Sequence, residues 1–299
     1  MSQARSMTYL KLVACMALWG GTWVSGRVVA QGMTPFVAAF LRFLSASVFL
    51  FLLSCRVEGR LPTLRREALP GVAFLGFTGV FLYNILFFSG LALISASRAA
   101  LIVACVPSTV ALYSVLVLRA PTGALKALGI ALSLFGVAVI LSGGDVLALV
   151  SHGVEAGDLF ILGCVAAWAA YTIAGGRVMR QNSPLSAVTW SCLLGSVLLL
   201  PPALYTGLVP QALHAGWVLW GNLLFLGVLA TGLAYTWYYD GILALGAPRA
   251  SVFINLVPVF ATLLGTVLLG ETVGLALVLG GLMVLSGVIL ANRPAPVAK

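Results

Sequence analysis

The side chains of this chain that are suited to chemistry are aromatic rings, hydroxyls and amides embedded in long apolar segments. Trp19 and Thr22 are three residues apart, so they share one face of a helix, and Trp168 and Tyr171 repeat that spacing. Rings and small polar groups of this kind bind organic molecules by stacking and hydrogen bonding. We therefore predict a binding cavity whose lining residues are Trp19, Thr22, Trp23, Tyr83, Asn84, Phe87, Trp168, Tyr171, Tyr235, Tyr238 and Asn255. Ordinary helix packing with an interfacial aromatic belt is the alternative for these rings.

Two polar residues inside apolar segments keep two interpretations each. Asn255 either hydrogen-bonds a neighbouring helix or contacts a ligand, because an amide surrounded by lipid needs a partner. Arg42 lies well inside an apolar segment, where an unpaired cation is costly. It either pairs with a carboxylate such as Glu271 or holds the carboxylate of a substrate.

Signatures of enzymes are absent from the sequence. There is no H-E-x-x-H, G-x-S-x-G or G-x-x-x-x-G-K-[ST] motif, and the two histidines, His152 and His214, lie far apart. The five cysteines are odd in number and lack a C-x-x-C pair, so they indicate small apolar fillers. We predict no enzymatic activity, no metal and no cofactor.

Proline and glycine mark a second group of positions with a mechanical role. Pro107 and Pro258 interrupt the hydrogen bonding of helices, and Gly90 and Gly241 are predicted to close the helices that precede them. We predict that these four residues act as hinges; passive kinks are the alternative. Small residues at Gly129, Ser133, Gly136, Gly280 and Gly287 favour tight helix packing and indicate a scaffold.

An internal repeat organises all of these residues. The segment 76–118 recurs 151 positions later as 227–269, which pairs Gly90 with Gly241 and Pro107 with Pro258. At an offset of 149, Trp19 pairs with Trp168. We predict a first repeat at 1–142, an outer linker at 143–156 and a second repeat at 157–299.

The composition places both repeats in a membrane. Hydrophobic residues make up 62% of the chain and charged residues 8%, whereas a soluble domain carries roughly 25% charge. Mean hydropathy is +1.13. A bilayer requires about 20 apolar residues per helix, and we predict an all-α membrane protein of ten transmembrane helices. The predicted spans are 8–30, 35–54, 69–93, 97–118, 124–143, 157–178, 185–205, 216–243, 247–269 and 273–291.

The net charge of +9 sets orientation and does not indicate a nucleic-acid partner. With the N-terminus in the cytoplasm, all but three of the 16 basic residues fall on the inner side; the exceptions are Arg27, Arg42 and Arg98. This positive-inside pattern predicts that both termini are cytoplasmic. Five spans per repeat is an odd number, so the second repeat is inverted relative to the first. Inverted repeats offer two alternative packings, which is the basis of alternating access.

The residues above resemble a known superfamily of transporters. Leu18-Trp19-Gly20, Leu41-Arg42-Phe43 and the two Gly…Arg…Pro tracts are similar to the ten-helix EamA-type exporters of the drug/metabolite transporter superfamily. Within it the chain most resembles the YddG-type amino-acid exporters of the bacterial inner membrane. The resemblance implies a central cavity lined by spans one, three, four, six, eight and nine.

Together these observations predict a monomeric exporter of aromatic or neutral amino acids, or of similar amphipathic metabolites. Its partners are a small-molecule substrate and the lipid bilayer. Acidic residues are scarce in mid-membrane, which favours facilitative transport over proton coupling. A broad exporter of drugs or nucleosides is the closest alternative. A lipid-modifying or scaffold membrane protein is the alternative outside transport.

Overall fold

Ten long helices make up the bundle, which is a computed structural model describing residues 3–59, 63–119, 122–147, 154–178, 183–245 and 247–292. Each helix coincides with one predicted span, and no strand occurs among the described residues, so the prediction of an all-α membrane fold is confirmed. In chain order they are α1 (Gln3–Gly32), α2 (Pro35–Glu58), α3 (Arg66–Leu93), α4 (Ala96–Leu116), α5 (Ala124–Leu141), α6 (Ala156–Val178), α7 (Pro184–Tyr205), α8 (217–245), α9 (247–269) and α10 (Leu275–Ala291).

The helices differ in whether their length and apolar character are enough to span a bilayer. Eight are long and apolar enough to cross it on their own. The first part of α8, Trp217–Leu233, follows a short helix at Leu208–His214 that meets it at 110°. The sequence analysis treated that short helix as a loop. With 17 residues, α10 is about 25 Å long at 1.5 Å per residue, at the short end of the spanning range.

The first and third helices of the two repeats pack on one another across the repeat boundary. Cys15 Sγ of α1 donates to the carbonyl oxygen of Ala234 in α8 at 3.1 Å. The equivalent contact joins α6 to α3, where Cys164 Sγ donates to the carbonyl of Tyr83 at 3.4 Å. Both pairs of helices are antiparallel, and α6 starts at the end of the bundle where α1 finishes. The inverted arrangement is therefore visible in matched contacts. We call the end that carries the α5–α6 connection the linker end, and the end where α1 begins the terminus end.

Helices α3 and α8 share a local irregularity that the sequence analysis did not predict. Residues Gly76–Leu82 and Phe225–Leu233 are π-helical, and the segments coincide at the offset of 151. Thr78 and Thr231 donate their hydroxyls to carbonyls four and five residues earlier, at 2.8 and 2.9 Å. Short π-helical segments are frequent at functional sites.

The predicted proline interruptions occur in α4 and α9. Helix α4 is broken after Val103 and resumes at Val106, with Pro107 in the first turn of the new segment. In α9 a 3₁₀ turn at Phe253–Leu256 precedes Pro258, which again lies in a first turn. This position suits proline because its missing N–H has no partner in a first turn. Movement at these breaks stays a prediction.

The expectation that Gly90 and Gly241 close their helices is wrong. Helix α3 continues to Leu93 and α8 to residue 245. A Cβ added at Gly90 would meet the Ile161 side chain, and one at Gly241 would meet Leu12, the repeat mate of Ile161. These glycines therefore allow the close approach of α3 to α6 and of α8 to α1.

Helices α5 and α10 form a separate pair at the side of the bundle. A Cβ at Gly136 or at Gly287 would run into backbone atoms of the partner helix. Small residues at these positions allow the two backbones to pack closely in the absence of large side chains. Both helices contribute nothing to the cavity described next, which agrees with a scaffold role.

Candidate functional site

A cavity of about 550 Å³ lies between the two repeats, near the middle of the bundle. Seven helices contribute to it: α1, α2, α3, α6, α7, α8 and α9. The lining residues are Trp19, Thr22, Trp23, Arg42, Phe43, Gly79, Val80, Tyr83, Asn84, Trp168, Tyr171, Val188, Ser191, Cys192, Ala230, Thr231, Tyr238, Ile254 and Val257. Its volume falls within the range of roughly 300–1,000 Å³ that is usual for small-molecule sites.

Eight of the eleven predicted residues line this cavity, and two described ones, Phe87 and Asn255, do not. The eight are Trp19, Thr22, Trp23, Tyr83, Asn84, Trp168, Tyr171 and Tyr238. Phe87 is 1% exposed and lies behind the lining. Asn255 lies in the 3₁₀ turn of α9, where its amide donates to the carbonyl of Val252 at 3.1 Å, outside the lining. The side chain of Tyr235 lies outside the described part of the structure.

One wall of the cavity is a cluster of three aromatic rings, two of which are stacked. The ring of Trp168 is stacked on that of Tyr171, with centroids 4.8 Å apart and planes at 20°. Tyr83 of α3 tilts against Trp168 at 5.1 Å. Ring pairs in offset or tilted arrangements at these distances attract one another, so they hold the wall in place. The result is an aromatic surface that carries two phenol hydroxyls.

The opposite wall is also aromatic but contains fewer rings. Trp19 of α1 contacts the ring of Tyr238 of α8 at 5.2 Å. Its indole Nε1 donates to the carbonyl of Ala230 at 2.9 Å. That carbonyl belongs to the π-helical segment of α8, whose irregular hydrogen bonding permits an extra donor. The bond fixes the indole, so Trp19 presents a rigid face.

Arg42 is the one charged residue among the described residues that line the cavity. Its guanidinium donates to Asn84 Oδ1 at 3.0 Å and lies over the rings of Phe43 and Phe87, 5.3 and 5.5 Å from their centroids. The proposed pairing with Glu271 is wrong, since that carboxylate is engaged at the linker end. Arg42 instead faces the cavity.

Asn84 positions Arg42 through the π-helical segment of its own helix. The Asn84 amide nitrogen donates to the carbonyls of Gly79 at 3.2 Å and Val80 at 2.9 Å. Those bonds assign the amide nitrogen to the backbone side and the oxygen to Arg42. Asn84 is 1% exposed, so it has little freedom to turn.

The linker end is closed by a first polar cluster around Glu271, which follows α9. Its carboxylate accepts from the backbone N–H groups of Ala96 and Ser97 at 2.7 and 2.9 Å, and from the Ser97 hydroxyl at 2.6 Å. Arg27 Nε of α1 lies 3.8 Å from the same carboxylate. A negative charge at the N-terminus of α4 is favourable because the helix dipole is positive there.

A second cluster at the linker end joins α4 to α6. Arg98 Nε and Nη2 donate to the two carboxylate oxygens of Asp158 at 2.8 and 2.6 Å. The Arg98 guanidinium also donates to the carbonyl of Leu141, the last residue of α5, at 2.9 Å. Asp158 is fully buried, and bidentate arginine–carboxylate pairs are among the strongest hydrogen-bonded contacts in proteins. The two clusters together are called the linker-end clamp below.

Packing is tighter at the linker end than at the terminus end. In the first half of α4, Leu101 is 6% exposed, whereas its repeat mate Val252 in α9 is 63% exposed. Ile254 of α9 is 39% exposed and lines the cavity, but no described residue of α4 does so. The cavity therefore approaches the surface at the terminus end and is covered at the linker end.

The contribution of α2 and α7 to the cavity was not predicted from the sequence. Of their lining residues, only Arg42 had been singled out, and Phe43, Val188, Ser191 and Cys192 had not. A signal was available, because the offset of 149 pairs Arg42 with Ser191 and Phe43 with Cys192. The implied lining by span four is wrong for the described residues.

The cavity lining holds no Asp or Glu among the described residues. In the same part of the chain, no group of three His, Cys, Asp or Glu residues is placed to hold a metal ion. The site presents rings, hydroxyls, one amide and one cation. Such a surface can bind an amphipathic organic molecule by stacking and by contact with a negative group.

Comparison with known proteins agrees with this architecture. A Bacillus subtilis protein named "Uncharacterized transporter YyaM" is 29% identical over 97% of this chain and 95% of its own length. The "Probable terminal-alkyne amino-acid exporter" of Streptantibioticus cattleyicolor is 25% identical, covering 94% of this chain and 92% of that protein.

One solved crystal structure aligns with a TM-score of 0.62 at 20% identity, covering 96% of this chain and 97% of the other. At that identity the likeness concerns the fold alone. The sequence model of the EamA-like transporter family matches twice, over residues 6–142 and 155–293. With its all-helical bundle and transporter relatives, the chain is a multi-pass membrane transporter, and it belongs to the EamA-like transporter family.

Proposed function

We propose that this protein exports aromatic or neutral amino acids, or similar amphipathic metabolites, across the bacterial inner membrane. The observation that carries the proposal is the cavity between the two inverted repeats, with ring pairs on two walls and a single cation. Rings accept the apolar body of such a molecule by stacking. The relative named as an amino-acid exporter supports the same substrate class.

The mechanism we propose is alternating access between two packings of the repeats 1–142 and 157–299. In the present packing Leu101 in the first half of α4 is buried, whereas Val252 and Ile254 in the first half of α9 are exposed. Inverted repeats allow the reverse packing, in which α9 is buried and α4 lines the cavity. The breaks before Pro107 and Pro258 lie where each helix would bend, so we assign them as hinges. Gly90 and Gly241 would act as hinges at the points where α3 packs closely on α6 and α8 on α1.

We propose that the terminus end faces the cytoplasm, which the positive-inside pattern of the basic residues supports. The present packing is then open to the cytoplasm, where an exporter collects its substrate. Because the described lining contains no carboxylate or histidine to carry a proton, we propose facilitative transport driven by the substrate gradient. The protein is proposed to act as a monomer, since one chain encloses the whole cavity.

Counterflow in proteoliposomes tests the proposed function. Vesicles loaded with unlabelled amino acids should accumulate the labelled form of a transported one, in a panel that includes drugs and nucleosides. Trp168→Ala and Tyr83→Ala should lower the initial rate at least about tenfold, because each removes a ring worth about 1 kcal/mol or more beyond its buried area. Phe135→Ala is the matched control, since that ring is 50% exposed on α5, away from the cavity. Absence of counterflow for every amino acid, with transport of drugs or nucleosides, would favour the broader exporter.

A further inference from the structure

We propose that Arg42 and Asn84 form a subsite for the carboxylate of the substrate, which makes the transporter selective for carboxylates over the corresponding amines and amides. The inference rests on the proposed function, because it assigns a role within the same cavity. It names the chemical group that the site recognises: a carboxylate attached to an apolar or aromatic body.

The position of Arg42 is the first argument. It lies seven residues into α2, so it is about 10 Å below the linker end at 1.5 Å per residue. Placing a cation at this depth in a membrane costs free energy, and such residues mark functional sites. The side chain does not extend to the linker end to reach Glu271, which is bound by Arg27 and Ser97. It lines the cavity instead.

The second argument is that the guanidinium is held in a defined orientation. Asn84 Oδ1 accepts from Nη1, and the Asn84 amide is fixed by two backbone carbonyls. The rings of Phe43 and Phe87 pack against the guanidinium. Guanidinium donors lie in one plane, so the orientation of the group fixes the direction from which a polar partner binds. A carboxylate fits this geometry with two parallel hydrogen bonds.

The third argument is the charge balance of the cavity. The described lining holds Arg42 and no acidic residue, so the site attracts anionic groups and repels cationic ones. The repeat mate of Arg42 is Ser191, which is neutral and also lines the cavity. The site therefore has one charged side, at α2, while Trp168 and Tyr171 of α6 provide a ring surface for the rest of the molecule.

The test measures binding to the purified full-length transporter in detergent with three probes: 3-phenylpropionate, L-phenylalanine and L-phenylalaninamide. Wild type should bind the two carboxylates more tightly than the amide. Arg42→Gln should weaken binding of both carboxylates by on the order of tenfold to a hundredfold, the range for one charge-assisted contact. Its affinity for the amide should not fall, because that ligand has no carboxylate for the guanidinium to bind. Arg42→Lys should fall between, since it keeps the charge without the planar fork.

Lys11→Gln is the control, because Lys11 is a cation paired with Asp240 outside the cavity; all three affinities should match wild type. Equal weakening of all three probes by Arg42→Gln, or no preference of wild type for carboxylates, would overturn the subsite. Size exclusion and circular dichroism show whether Arg42→Gln is folded. If it is not, the carboxylate preference of wild type and the affinities of Arg42→Lys test the subsite instead. Binding of 3-phenylpropionate without any amino-acid binding would keep the subsite and refute amino-acid export.

Discussion

Replacing Asp158 by asparagine should open the linker end of the transporter. Asp158 is fully buried and holds Arg98 by two hydrogen bonds of 2.6 and 2.8 Å, which join α6 of the second repeat to α4 of the first. Asparagine has nearly the same volume but no charge. We expect α4 and α6 to separate in the packing that opens the linker end, so the loss should fall mainly on the closed packing.

The size of the effect follows from the geometry. Removing one partner of a buried ion pair costs about 3–5 kcal/mol. The asparagine oxygen still accepts one neutral hydrogen bond, worth about 1 kcal/mol, and Arg98 keeps the Leu141 carbonyl. The closed packing should therefore lose about 2–4 kcal/mol. Since every 1.4 kcal/mol is a factor of ten, the ratio of open to closed linker ends should rise on the order of 30- to 700-fold.

Cysteine labelling in intact cells reads this ratio directly. A Thr22→Cys reporter lies in the cavity, in a background of Cys55→Ser and Cys192→Ser, because Cys55 is partly exposed and Cys192 lines the cavity, whereas the other three cysteines are buried outside it. A membrane-impermeant maleimide reaches the reporter from outside only when the linker end opens. Asp158→Asn should raise the labelling rate by about the factor above, up to the rate of full exposure. Lys11→Gln, which breaks an ion pair at the terminus end, should not raise it.

An unchanged external labelling rate in Asp158→Asn would refute the reasoning, provided that inside-out vesicles still label the reporter as wild type does. That result would mean that the pair is not what keeps the linker end closed.

Three further changes test other parts of the structure. Glu271→Gln weakens the cap on α4 and should increase external labelling of the same reporter by less than Asp158→Asn, because its partner Arg27 is more distant at 3.8 Å; equal or larger labelling would contradict this ranking. Gly287→Ala places a methyl against the backbone of α5 and should lower the melting temperature by several degrees, whereas Gly274→Ala, which meets open space, should not. Pro258→Ala should slow counterflow while leaving substrate affinity within about twofold, if the break in α9 is a hinge; a change in affinity alone would contradict that role.

The helices were predictable because a lipid environment restricts the backbone conformations that the chain can adopt. A backbone in hydrocarbon has to satisfy its own hydrogen bonds, so apolar segments of the right length become helices. The cavity was predictable where the signal was local: Trp19 with Thr22, and Trp168 with Tyr171, share a face at helical spacing. The inverted repeat then brought those faces together.

What the sequence did not reveal depends on contacts between distant segments. The π-helical turns at Gly76–Leu82 and Phe225–Leu233 have an apolar periodicity that an ordinary helix shares, so composition does not distinguish them. Arg42 had two plausible partners, and the choice of Asn84 required knowing that the π-helical turn directs this amide toward α2. Asn255 appeared suited to the cavity, but the 3₁₀ turn before Pro258 rotates it out of the lining.

The two repeats match in shape but differ in charge, and that difference makes the two packings unequal. At the linker end, Glu271 and Asp158 supply the carboxylates of the clamp. Their repeat mates by sequence are Ala120 and Tyr9, neither of which carries a charge. Reversing the packing therefore breaks two buried ion contacts, while the sequence offers no equivalent carboxylates at the mated positions. We expect the empty transporter to rest with its terminus end open, and a bound substrate to offset the cost of releasing the clamp.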